Sequence, residues 1–518
     1  AMKKWIIVAA CFSRTAQIFQ PFIRTRTVRP LPLCSAACAD LDCLFAVDKR
    51  TARHYNQEKS AKGCGFMTEG KIYSKISLFA LPIFIGQLFQ QFYNVADSLV
   101  VGRYLGKQAL AAVSSSGSLI FLLVGFINGV FVGAGVVIGR YYGARENEKV
   151  HTAVHTTTAF AVLSGLFLTA AGMLLTPVIL RLMNTTADVL PESIRYFRLY
   201  FAGALGNVLY NAFNGIFQAR GDSRHPLYYL IISSITNVVL DILFVKYFKW
   251  GVGGAAAATV ISQFLSAIIS FVKLTTVDDV HKIVPHDVRI DWPMLREVLA
   301  TGLPTGVQNS VIGLANVIVQ SNINDFGSDA MAGCGAYFKI EGFAFLPVTS
   351  FSVALTTFTS QNLGAKQYDR VKKGTAFGLI SGVALAELIG IVFVIFAPSL
   401  IAMFNSSPEV VAFGAMQART EALFYCVLSL SHCMAGIIRG AGKTMVPMLI
   451  MLICWCVIRV AYITITVHFI PDIRVVFWGY PITWMLSSVC FTLYYFKGDW
   501  MHNFERLDAR RNAAANRN

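Results

Sequence analysis

Residues 76–101 read ISLFALPIFIGQLFQQFYNVADSLVV. The run is long enough to cross a hydrocarbon core, which takes roughly 20 apolar residues, yet it carries Gln87, Gln90, Asn94 and Asp97. Those four are spaced by three, four and three residues, which puts them on one face of a 3.6-residue helix. A carboxylate in hydrocarbon costs several kcal/mol, so a chain that keeps one there uses it for an ion path, a proton relay or a substrate site. A second acid, Asp241, lies in the apolar run 227–248, one turn after Asn237. The two aspartates predict membrane helices with polar faces turned inward, and point to transport.

Outward from that run, apolar segments recur at near-even spacing: 76–101, 114–138, 152–176, 194–218, 227–248, 253–272, 298–320, 336–360, 375–404, 411–438, 448–470 and 478–496. Composition agrees, with 55% hydrophobic and 14% charged residues and a mean hydropathy of +0.57; soluble chains carry about a quarter charged residues. The expected fold is an all-α polytopic membrane protein of twelve transmembrane helices. A net charge of +16 does not mark nucleic-acid binding, because the cations lie between apolar runs and not on one face with interleaved aromatics. They mark topology instead, since Lys and Arg stay on the cytoplasmic side. Arg140, Arg145 and Lys149, Arg220 and Arg224, Lys273 to Arg296, Lys366 to Lys373, and Arg439 and Lys443 follow helices 2, 4, 6, 8 and 10. Both termini are therefore expected in the cytoplasm.

Residues 1–66 stand outside this pattern. They hold five of the eleven cysteines and are Arg-rich, and they precede Met67-Thr-Glu-Gly, which reads as a start. We expect an extension, disordered or not native. Its apolar stretch Trp5 to Ala10 is shorter than a signal-peptide core, and Cys34, Cys38 and Cys43 lack a paired zinc spacing. Cysteines 334, 426, 433, 454, 456 and 490 sit in apolar helices as small hydrophobes.

The chain repeats itself at an offset of 221 residues. Leu105-Gly106 matches Phe326-Gly327, Gly143-Ala144 matches Gly364-Ala365, Asn184 matches Asn405, Gly221 matches Gly442 and Pro226 matches Pro447; Trp250-Gly251 matches Trp478-Gly479 at 228. Six helices per copy is an even number, so both copies enter the membrane in the same sense, and their pseudo-two-fold runs along the membrane normal. The expected division is an N-lobe at 67–275, a cytoplasmic linker at 276–297, a C-lobe at 298–496 and a basic cytoplasmic tail at 497–518. Two facing bundles enclose a cleft that can open to either side by rocking.

Polar stripes place the ligand region in the first lobe. Besides helix 1, helix 4 carries Asn207, Asn211, Asn214 and Gln218, helix 5 carries Asn237 and Asp241, and helix 6 carries Thr259 and Gln263. In lipid such groups turn inward and satisfy one another, so we expect one polar pocket within the N-terminal bundle. At the equivalents of Asp97 and Asp241 the second half is apolar or aromatic, near Val319 and at Tyr462. Acid chemistry is therefore expected in one lobe only, with Lys339 and Glu341 pairing with each other, His432 structural, and Glu387 and Arg459 without a role.

Pro82 fifteen residues before Asp97, Gln218-Ala-Arg-Gly-Asp222, Asn237-Val-Val-Leu-Asp241 and Ile340-Glu-Gly-Phe-Ala-Phe345 together resemble the multidrug and toxic compound extrusion (MATE) family, its DinF-like branch, over Met67 to about Phe496. The resemblance implies a V-shaped antiporter of two six-helix lobes that exports amphiphilic, often cationic, drugs and toxic compounds against a proton or sodium gradient. Carried over residue by residue, it implies a cation or proton site at Asp97, Asn237, Asp241 and Thr259, which would also ligate Na⁺. It implies a substrate cavity with Gln90 and Asn214, and a helix-1 bend at Pro82. Asn94, Asn211 and Gln263 join the cavity from their stripes. The chain lacks an acid in the core of helix 7, which speaks against a sodium site between helices 7 and 10.

The reading is therefore a cation-coupled exporter in a bacterial inner (plasma) membrane, multi-pass and monomeric, with small-molecule substrates and lipid around it. No cofactor is expected beyond H⁺ or Na⁺. Burial and a second carboxylate both favour a protonated acid, so a pair of this kind can exchange a proton and release a cationic substrate. A lipid or glycan-lipid flippase of related architecture is the alternative. An intramembrane enzyme is disfavoured, because no metal cluster, nucleophile-base pair or phosphate loop is present.

Overall fold

The computed structural model describes residues 67–182 and 190–515; residues 1–66, and with them the expected extension, lie outside the described residues. Twelve helical segments run from Ile72 to Lys497: α1 (Ile72–Tyr104), α2 (Gly106–Gly143), α3 (Asn147–Leu182), α4 (Leu190–Ala202 and Ala204–Arg220), α5 (Arg224–Tyr247), α6 (Val252–Thr276), α7 (Trp292–Asn324), α8 (Ser328–Gly364), α9 (Tyr368–Ala402), α10 (Pro408–Gly440), α11 (Met445–Phe469) and α12 (Ile473–Lys497). A thirteenth helix, α13 (Asn503–Ala515), follows, and no strand occurs among the described residues. Most helices overrun the apolar segments: α2 has 38 residues and α8 has 37, or roughly 55 Å at 1.5 Å per residue. Apolarity marks only the part in hydrocarbon.

Ten of the twelve are long and apolar enough to span a membrane on composition alone. The other two, α4 and α7, are made less apolar by Asn207, Asn211, Asn214 and Gln218 and by Gln308, Asn309 and Gln320. Conversely α3 and α9 turn apolar side chains outward at related positions: Phe167 and Leu388, and Leu174 and Ile395, are all strongly exposed. Large exposed apolar faces of this kind belong against lipid tails.

The sequence repeat reappears as geometry. A Cβ on Gly143 would lie 2.0 Å from the carbonyl oxygen of Gln361, and one on Gly364 would lie 2.1 Å from that of Arg140. Because Arg140 and Gln361 are themselves 221 residues apart, the two contacts are one contact seen twice across a two-fold axis between α2 and α8. The loops that follow repeat as well: Arg145 and Lys366 have φ of 59° and 58°, and Gly221 and Gly442 have φ of 91° and 75°. Asp222 N donates to Phe217 O at 2.9 Å and Lys443 N to Ile438 O at 3.1 Å, the same Schellman closure of α4 and of α10.

The lobes meet along α1 and α2 on one side and α7 and α8 on the other. Gly129 and Gly133 of α2 lie against Gly306 and Gly302 of α7, where a Cβ would come within 2.4 Å and 2.2 Å of the facing backbone; small residues let membrane helices approach this closely. At the cation-rich end, buried Arg140 pairs with Glu297 of α7 at 2.9 Å and with Asp508 of α13. Asn503 donates to Ala441 O at 2.9 Å, which seats α13 on the loop after α10. Part of the segment expected as a basic tail is thus a packed helix. Met67 N donates to Gln361 at 2.8 Å and Arg370 donates to the carbonyls of Met67, Glu69 and Gly70, while Glu69 pairs with Arg145 at 2.9 Å. Both ends of the described segment therefore cross from one lobe to the other at this face.

Candidate functional site

Two polar regions are present where one pocket within the N-lobe was expected. The first is a cavity of about 310 Å³ lined by Pro82, Gln87 and Gln90 of α1, Asn207, Asn211, Asn214 and Gln218 of α4, and residues of α2, α5, α8 and α10. It is not confined to the N-terminal bundle. Val132, Gly135 and Val136 of α2 line it together with their repeat partners Val353, Thr356 and Thr357 of α8, so the cavity sits on the two-fold axis. Its amides are ordered in helical pairs: Asn211 donates to Asn207 Oδ1 at 3.0 Å and Gln218 to Asn214 Oδ1 at 3.1 Å. Gln87 accepts from Thr349 of α8 at 2.7 Å, across the lobe boundary. Pro82 lies inside α1, which continues through it.

The second region holds the acids. Asp97 of α1 and Asp241 of α5 face each other closely enough to share a hydrogen bond; Asp241 is fully buried and Asp97 partly so. Asn237 fits its surroundings with the amide nitrogen toward Asp241, donating to Oδ2 at 3.2 Å and accepting from Thr259 N at 3.3 Å. Thr259 Oγ1 donates to Ala255 O at 3.1 Å. The four residues named from the sequence are thus brought together by three helices. One oxygen of each aspartate, Oδ1 in both, has no hydrogen-bond partner among the described residues, and this donor set of carboxylates, an amide and a hydroxyl suits a proton or a hard cation.

Gln263 and Asn94 fall outside the cavity lining. Gln263 is hydrogen-bonded to Tyr200, and Asn94 contacts Gln91 at 3.5 Å. Tyr93 and Tyr196 flank the acids, and Tyr200 stacks on Tyr196 at 6.3 Å. The α4 tyrosines were not legible as site residues, because Leu190–Ala202 reads as an ordinary amphipathic segment. Its break at Gly203 is the signal that was available.

The C-lobe is not acid-free. Glu341 of α8 and Glu421 of α10, both buried, lie near each other and near Arg459 of α11. Glu341 therefore does not pair with Lys339, whose ammonium sits 5.7 Å from the Phe404 ring centre. Gln417 donates to Glu421 at 2.8 Å, and Arg459 donates to Thr483 at 3.1 Å while lying over the Tyr480 ring at 4.4 Å. Arg459, without a role in the sequence, is the counter-charge of this cluster. Glu387 also acquires one, accepting from Cys426 N at 3.0 Å where α10 restarts after its 3-10 turn. His432 packs edge-on to Phe345 and Trp455, with its Nε2 buried and without a hydrogen-bond partner among the described residues.

Helix irregularities mark all four positions. A π-helical stretch begins directly after Asp241 and another ends directly before Arg459; α4 breaks at Gly203 and α10 at Ala422–Phe424. Interruptions of this kind free backbone groups and recur at functional sites.

With the geometry in hand, the relationship to known proteins can be stated. The MatE family model matches residues 82–243 and 304–465, one match per lobe. The chain belongs to this family of multi-pass membrane transporters, and it is not an enzyme. It is 28% identical over 432 residues to the "Probable multidrug resistance protein YoeA" of Bacillus subtilis strain 168, covering 82% of this chain and 93% of that one. It is also 28% identical over 441 residues to the "Probable multidrug resistance protein YpnP" of the same strain, covering 84% and 97%. Its fold matches a MOP superfamily transporter from Pyrococcus furiosus with a TM-score of 0.79 at 23% identity, over 86% of this chain and 98% of that chain.

Proposed function

We propose that this protein exports amphiphilic small molecules by alternating access, driven by H⁺ or Na⁺ entering at Asp97 and Asp241. The observation that carries the reading is the separation of two sites on the same helices. Helix α1 contributes Gln87 and Gln90 to the axial cavity and Asp97 to the acid pair, so ion binding at one end of α1 can move the walls of the other. Pro82, which leaves a backbone carbonyl without its hydrogen bond, lies in the cavity wall where that movement would act. The printed names of the two Bacillus relatives, both multidrug resistance proteins, support drugs as substrates.

Orientation follows from the cations. Arg140, Arg145, Arg220, Arg370 and Lys443 cluster at the end where the lobes meet and where both described chain ends lie, and retained cations face the cytoplasm. This end is therefore the cytoplasmic face of a bacterial plasma membrane, and the Arg140 and Gln361 contacts hold it shut. The transporter acts as a monomer, because each lobe supplies the other's facing surface.

The test is gradient-driven dye efflux from proteoliposomes, with a pH gradient and a Na⁺ gradient imposed one at a time. We expect Asp97→Asn and Asp241→Asn each to abolish coupling to the effective ion. Full coupling in both variants refutes the ion-site assignment.

A further inference from the structure

The axial cavity contains one charged side chain, and its sign is opposite to that expected. Arg439, on the last turn of α10, lines the cavity beside Thr356 and Thr357 of α8, with its repeat partner Gln218 on the opposite wall. No Asp or Glu is among the lining residues. Among the described residues Arg439 makes no ion pair, and no carboxylate stands close enough to act on its charge. Its Nε is buried without a hydrogen-bond partner. Other arginines at this end have a counter-charge or backbone acceptors: Arg140 has Glu297 and Asp508, Arg145 has Glu69, Arg220 has Asp279 although its Nε too lacks a hydrogen-bond partner, and Arg370 has backbone carbonyls. Arg439 is half-buried and faces the cavity without a counter-charge among the described residues, and the strongest complement of a guanidinium is a planar or tetrahedral oxyanion held through paired N–H donors.

We propose that the cavity binds amphiphiles through an anionic head, a carboxylate, sulfonate or phosphate, placed against Arg439, with the apolar body against Phe131, Val132 and Leu230. The proposal rests on the export reading and names its substrate class. Amides such as Asn214 and Gln218 can face either sign of charge, so Arg439 decides the preference, while the acid pair lies outside the cavity lining and is left to the coupling ion.

The decisive experiment compares two probes that share ring and chain and differ in the head, 1-pyrenebutyrate and 1-pyrenebutyl-trimethylammonium, binding to the purified full-length protein. We expect the wild type to bind the carboxylate at least tenfold more tightly, Arg439→Lys to keep that preference, and Arg439→Gln to lose it. Equal or tighter binding of the ammonium by wild type overturns the proposal, as does an equal loss of both probes in Arg439→Gln with Arg439→Lys no different. If Arg439→Gln does not fold, the wild-type comparison still decides. Gradient-driven movement of a cationic dye with no anion preference in binding sinks this inference and leaves export standing; anion-selective binding with no gradient-driven movement does the reverse. A fluorescent phosphatidylglycerol arm, scored for movement between leaflets, tells a lipid headgroup from a soluble amphiphile, and Arg439-dependence of either supports the site.

Discussion

Tyr200 and Glu421 occupy the same place in the two lobes. They are 221 residues apart, and each precedes the break in its helix, at Gly203 in α4 and at Ala422–Phe424 in α10. One is hydrogen-bonded to Gln263 and stacks on Tyr196, which lies near the Asp97 and Asp241 pair, and the other belongs to the cluster of Glu341 and Arg459. Duplication has kept a polar cluster behind each break while exchanging which helix supplies the acid. In the N-lobe the acids come from α1 and α5; in the C-lobe they come from α8 and α10, with an arginine from α11.

The C-lobe cluster should be held by charge acting through the interior and not by a contact ion pair. Arg459 lies near both buried acids, so removing it leaves them without that nearby cation and destabilises the lobe. We expect Arg459→Met to lower the melting temperature in detergent sharply, and Arg459→Met with Glu421→Gln to recover much of the loss. Additive effects of the two changes would show that they do not interact.

The axial glycines should limit closure of the cytoplasmic face. A methyl group at Gly143 or Gly364 collides with facing backbone, which cannot move aside as a side chain can. Gly143→Ala and Gly364→Ala should each cost about 1–3 kcal/mol, the usual range for overpacking, and each should slow efflux. Because both act on one seam, the double variant should fall short of the sum. Normal efflux in both single variants would mean the lobes do not close here during transport.

Arg140 should matter more than its most exposed partner. It is 3% exposed, while the Asp508 side chain is 45% exposed. We expect Arg140→Ala to destabilise by several kcal/mol, because it takes the guanidinium away from a Glu297 side chain that is only 11% exposed, and Asp508→Asn by less than about 1 kcal/mol. Thermal melts of the two variants, side by side, check the ranking.

His281 links stability to pH. It lies in the loop after α6, where burial, reinforced by the Arg220 guanidinium beside it, pushes its pKa from the usual 6.5 down to about 4. Arg220 donates to its Nε2 at 3.1 Å, which requires the neutral ring. Since the unfolded chain takes up this proton near 6.5 and the folded chain only near 4, this contribution is complete above pH 6.5 and is lost as the pH falls to 4. Its full size is up to about 3 kcal/mol at 1.36 kcal/mol per unit. The melting temperature of wild type should drop across that window, and His281→Gln should flatten the drop.

Much of this was legible in one dimension. Apolar runs and cation-rich loops gave the helices, the 221-residue offset gave the two-fold axis, and a period of 3.6 placed the stripes of α1 and α4. Asp97 and Asp241 were legible as functional because a buried carboxylate in a membrane helix has few other uses, while the grouping of Asn237 and Thr259 with them was what the family resemblance implied. Arg439 was misread as a loop cation, since a count of charges beyond the apolar run does not reveal that the last turn of α10 still faces the axis. Glu341 was given to Lys339 for a similar reason: the two are close in sequence, but they point to different sides of α8.

What the chain determines by itself is periodic and additive: how many helices, which faces are apolar, and that the halves are copies, because hydrophobic transfer acts on each segment independently. Which polar groups meet is decided only when the lobes pack, since a charge finds its partner across helices hundreds of residues apart. Folding put Glu297 beside Arg140 and gave Arg439 no acid, a difference set by which side of the two-fold axis each guanidinium faces.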